Sequence, residues 1–69
     1  MEDNFYELRL RLGDVELMRS YGNGRNAFEA AERAVEEGAL HLPPGDIYEV
    51  EAINQATGVT LFFKAARAG

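Results

Sequence analysis

Residues 21–27 read Tyr21-Gly22-Asn23-Gly24-Arg25-Asn26-Ala27 and lead without a break into the run FEAAERAVEEG. Two readings of this stretch describe two different proteins. Gly22 and Gly24 fit the G-x-G-x-x-G/A dinucleotide pattern, in which a pyrophosphate rests on the first turn of a helix. The same residues also fit a strand exit followed by a helix cap. Asn26 carries a short side-chain oxygen that can accept from a first-turn N–H, and Glu29 three positions later completes a capping-box pattern. The context favours the cap. The preceding strand is the second arm of a hairpin, and one helix cannot cover both faces of a buried parallel sheet. No lysine follows the glycines to hold a phosphate, and Glu29, Glu32, Glu36 and Glu37 would repel one. Nucleotide binding through Gly22 and Gly24 is therefore only the third functional reading.

Upstream, residues 5–12 alternate with period two. Tyr6, Leu8, Leu10 and Leu12 face one way, and Glu7, Arg9 and Arg11 the other, the mark of a half-buried strand. Gly13-Asp14 suits a tight two-residue hairpin connection, and residues 15–21 return. With Leu12 opposite Val15, Leu10 falls opposite Leu17 on the inner side and Arg11 opposite Glu16 on the outer side. Downstream, the Ala-rich helix ends where Gly38 can take a left-handed conformation. Phe28, Ala31 and Val35, supported by Ala27 and Ala34, make its apolar stripe, and the small alanines let it lie close to a sheet. Residues 39–46 form a loop whose Leu40 and Leu42 tuck under the core. Residues 47–53 and 59–65 form a second hairpin around residues 54–58, with Gly58 free to take positive φ.

The predicted fold is α+β: a single β-β-α-β-β domain over residues 1–69, with one four-stranded, mainly antiparallel sheet and the helix on one face. Periodicity does not reveal the strand order. Sixty-nine residues give a thin stability margin, since a domain this small buries only about 60% of its unfolded surface.

Composition narrows the function. The chain has no cysteine and a net charge of −5, so a thiolate metal site and a disulfide framework are excluded. Phosphate backbones would repel it, which argues against direct nucleic-acid binding. Partners with basic surfaces are favoured. The acidic start and the lack of a long apolar run predict a soluble, cytoplasmic protein with no membrane segment.

Chemistry is sparse. His41 is the only histidine and Ser20 the only serine, and nothing in their spacing makes a nucleophile–base pair. The carboxylates lack the spacing of a calcium loop, and a four-strand, one-helix domain leaves little room for a cleft of about 300 Å³. No catalytic, cofactor or metal site is expected, and the protein is read as a non-enzyme.

Two surfaces remain. Glu29, Glu32 and Glu36 run along the solvent side of the helix. Glu36 and Glu37 stand at the negative end of its dipole, where carboxylates are mildly unfavourable. The outer sheet face is expected to carry Phe5, Met18, Ile47, Ile53 and Phe62 among Arg9, Arg11, Glu16, Glu49, Glu51 and Lys64, a mixture typical of contact surfaces. Glu29, Glu32, Glu36, Phe5, Met18 and Phe62 are the candidate partner-binding residues.

The acidic helix NAFEAAERAVEEGA followed by the hairpin DIYEVEAINQATGVTLFFKAA resembles, in architecture and charge, the small acidic cysteine-free inhibitors that phages make against bacterial defence complexes, the anti-CRISPR proteins. The resemblance implies a non-catalytic inhibitor that engages a basic surface of a nucleic-acid-handling complex such as CRISPR–Cas, with Glu29, Glu32 and Glu36 meeting basic residues. The alternative is a homodimeric structural or regulatory domain that uses the outer sheet face.

Overall fold

A computed structural model describes residues 3–67. The alternating segment becomes β1 (Asn4–Leu12), which turns at Gly13-Asp14 into β2 (Val15–Gly24). The capped segment is α1 (Ala27–Glu36), and the second hairpin is β3 (Ile47–Asn54) and β4 (Thr60–Ala66). The four strands form one sheet in the order β2-β1-β3-β4, with every neighbouring pair antiparallel. This is the predicted β-β-α-β-β plan. The order adds that the two hairpins lie side by side, joined through their first strands.

The inner face of β1 (Tyr6, Leu8, Leu10) and of β3 (Tyr48, Val50, Ala52) is buried, together with Leu40 and Leu42 from the loop and four alanines of α1. Asn26 keeps an extended backbone, and its side chain accepts the Glu29 N–H at 2.8 Å. The Glu29 carboxylate reaches back to the Arg25 N–H at 3.1 Å, one residue beyond the partner of a standard capping box. At the other end Gly38 takes φ +80°, and the Ala39 N–H bonds the Ala34 carbonyl at 2.8 Å, a Schellman closure. That closure turns Leu40 and Leu42 under the sheet.

Three expectations are corrected. First, β2 does not end at Tyr21. It runs on to Gly24, and the glycines form the floor on which α1 lies. A Cβ on Gly24 would collide with the backbone N and Cα of Ala30, and one on Gly22 would stand 3.1 Å from the Ala30 carbonyl oxygen. The need is close approach of two backbones rather than an exit from the strand.

Second, the hairpin register shifts. Arg11 opposes Glu16 and Leu12 opposes Val15 as expected, but a bulge makes Met18, not Leu17, the partner of Leu10. An extra residue on one strand inverts every facing beyond it. Met18 therefore points inward and packs against the core, while Leu17 is exposed. Met18 does not belong to the outer face.

Third, the buried stripe of α1 is Ala27, Ala30, Ala31 and Ala34, and Phe28 and Val35 are exposed. Only alanines fit against the glycine floor. The larger side chains sit around the helix toward β3 and β4.

Candidate partner-binding surface

α1 packs chiefly on β2, at one edge of the sheet. The inner face of the opposite edge has no second helix over it. Leu61, Phe63 and Ala65 of β4 point to the helix side, opposite Ala52, Val50 and Tyr48 of β3. Between them and α1 runs an open groove of about 340 Å³, with Phe28, Val35, Leu42, Val50, Phe63 and Ala65 as its apolar lining, Glu32 and Glu36 on the helix side and Lys64 on the β4 side. Phe28 is 63% exposed although its ring lies 5.9 Å from that of Phe63, and Leu61 is 52% exposed. The sequence reading left no room for such a cleft. It arises because the helix sits off-centre, and the Gly22/Gly24 spacing on β2 was its available signal.

The charges divide into two sets. Among the described residues, Asp3, Glu7, Glu16, Glu29 and Glu51 take up Arg9, Arg11, Arg19, Arg25 and Arg33 in ion pairs. Equal numbers cancel, so the net charge of −5 resides on the remaining groups. Three of these, Glu32, Glu36 and Glu37, lie in the C-terminal half of α1 and at its cap.

Glu29 belongs to the first set. It holds Arg25 at 3.0 Å and Arg33 at 3.1 Å, and the hydrogen bonds from the Arg25 side chain and backbone hold its carboxyl below the usual carboxylate range. Arg33 turns to Asp3 at 3.0 Å, and that contact raises its pKa. The predicted stripe of Glu29, Glu32 and Glu36 is thus split: Glu29 ties down the helix start, and Glu32 and Glu36 edge the groove.

The outer sheet face is largely self-compensated at one end. Arg9 lies directly opposite both Arg19 and Glu51. Glu7 bridges the two arginines at 3.4 and 3.7 Å, and Glu51 takes Arg11 at 3.3 Å. Arg19 also holds Glu16 at 2.7 Å, a hydrogen bond that lowers the Glu16 pKa. Phe5 stacks on Tyr21 at 5.6 Å, and Phe62 is exposed on the outer face opposite Glu51. Phe5 and Phe62 thus share this face as expected, on β1 and β4 with β3 between them.

His41 is exposed, and its backbone N–H donates to the Met18 sulfur at 3.4 Å. It borders a second recess of about 450 Å³ with Val35, Gly38, Leu40, Leu42, Ala66 and Arg67. Gly22 and Gly24 lie elsewhere, occupied by the Ala30 backbone, so the glycine turn and the imidazole share no pocket. Among the described residues, no helix is long and apolar enough to cross a membrane. Comparison with protein-family models, curated proteins and solved structures finds no match to this chain.

Proposed function

We propose that this domain is a non-catalytic protein-binding module whose contact surface is the α1–β4 groove. One observation carries the reading: exposed Phe28 and Val35 and half-buried Phe63 line one groove with Glu32 and Glu36, neither of which takes part in the ion pairs that hold the arginines. An apolar floor with an acidic border suits a partner segment that presents apolar side chains flanked by Lys or Arg. The inhibitor form of the reading, competition for the basic surface of a nucleic-acid-handling complex of the CRISPR–Cas kind, draws its support from Glu32, Glu36 and Glu37. Glu29 acts there only by fixing the helix.

The test is an amide-shift titration with a synthetic amphipathic peptide carrying leucines on one face and lysines on the other. Shifts are expected at Phe28, Val35, Phe63 and Ala65. They should weaken about tenfold in the double variant Glu32→Lys/Glu36→Lys, each charge contributing roughly 0.5–1 kcal/mol at such exposed sites. Shifts centred on Phe5 and Tyr21 instead would move the contact to the outer face and defeat the proposal.

A further inference from the structure

The two edges of the sheet are unequally protected. β2 carries the bulge at Leu17 and the charged pair Glu16–Arg19, and α1 covers its inner face. These are the devices by which natural sheets prevent edge-to-edge pairing. Of these β4 has only a charge, Lys64. Its sequence is TLFFKAA, seven residues without proline, glycine or a register shift.

Two hydrogen bonds fix which of its backbone groups are free. The Asn54 N–H donates to the Val59 carbonyl and the Gln55 N–H to the Phe5 carbonyl, both at 2.9 Å. Even-numbered residues of β3 therefore bond toward β4 and odd-numbered ones toward β1. Alternation along an antiparallel ladder then assigns the β3-facing groups of β4 to Leu61, Phe63 and Ala65. The N–H and C=O groups of Thr60, Phe62, Lys64 and Ala66 point to the open edge.

We infer that this edge pairs with the same edge of a second copy, antiparallel and centred on Phe63. In that register the open groups of Phe62 meet those of Lys64 of the second copy, and Thr60 meets Ala66, so the whole strand is matched. A shift that centres the pair on Lys64 would oppose two ammonium groups, and one centred on Phe62 would leave Ala66 without a partner. At the centre two Phe63 side chains stand directly opposite each other at a non-hydrogen-bonded position, where aromatic cross-strand pairs are favourable. On the other face each Lys64 lies beside a Phe62 ring.

The product is an eight-stranded sheet in which the two α1–β4 grooves become one trough, with α1 of each copy along its sides. That enlarged trough rests on the groove reading above, whereas the strand pairing stands without it. A single short edge buries less than the ~1,200 Å² at the lower end of stable complexes, so the dimer is weak and concentration-dependent. Added salt strengthens it, because each copy carries −5.

Sedimentation equilibrium of the full chain, without peptide, tests the pairing from micromolar to millimolar concentration. Phe62→Lys places a second ammonium against Lys64 of the other copy at two symmetric positions and is expected to lower the association constant about tenfold. Phe62→Glu removes the same ring but introduces a carboxylate at that position, and association is expected to be kept or increased. Amide exchange at Phe62 and Lys64 should slow with concentration while that at Leu61 and Phe63 does not change. A monomer at millimolar concentration, equal weakening by Lys and Glu, or concentration-dependent protection of Leu61 in place of Phe62 would each overturn the inference. The peptide titration is scored separately on groove residues, so either result can fail without the other.

Discussion

The helix side of the sheet has two halves that follow opposite rules. Over β2, side chains are removed until backbones nearly touch: two glycines below, and Ala27, Ala30, Ala31 and Ala34 above. Toward β4, large side chains accumulate under incomplete cover, and Phe28, Val35 and Leu61 stay in water. The first half is built for closeness and tolerates no added atom. The second is spacious and tolerates much. Stability and interaction are thus allotted to different strands of one sheet.

The contrast is broken most severely at its tight half. Gly24→Val should abolish the cooperative urea transition, because the new side chain meets Ala30 backbone that cannot yield. Overpacking commonly costs about 1–3 kcal/mol or more, a large share of what so small a domain has. Next comes a matched pair of truncations. Leu8, fully buried, should lose about 2–5 kcal/mol as Leu8→Ala. Leu61→Ala in the open half should change stability by less than about 0.5 kcal/mol at dilute concentration. Similar losses at the two sites would erase the distinction.

Asn26→Ala, which removes the bond to the Glu29 N–H, should cost about 1 kcal/mol in the same assay. The smallest effect is expected at high pH. Burial raises the Tyr48 pKa above its ordinary 10.0, with Asp46 adding to it. The folded state then holds the phenolic proton more tightly than the unfolded chain. Its contribution is complete below pH ~10 and is lost as pH climbs through the raised value. Tyr48→Phe should flatten that alkaline decline in melting temperature.

Local pattern carried much of this into view from the residues alone. Alternation in 5–12 and the capping pair Asn26–Glu29 predict elements that the structure contains, because both signals depend on immediate neighbours. The inward turn of Met18 was hidden, since a bulge is a property of two strands together and either hairpin register satisfies one strand's alternation. The apolar stripe of α1 was misplaced for a related reason. Periodicity gives a helix a greasy side, but the glycines of another element decide which part of it can descend. The division of carboxylates was equally invisible. Glu29, Glu32 and Glu36 look alike in sequence, and only the positions of Arg25 and Arg33 in space separate them.

The order β2-β1-β3-β4 also shapes how the chain reaches this state. Each hairpin can close on its own within a few residues of its turn, but the central seam joins positions as distant as Phe5 and Gln55, fifty apart (55 less 5). Loop closure over that span costs entropy before any contact repays it. The assembly of two preformed ribbons along β1 and β3 is therefore the slow encounter in folding, and the strand that waits longest for its neighbour lies at the middle of the finished sheet.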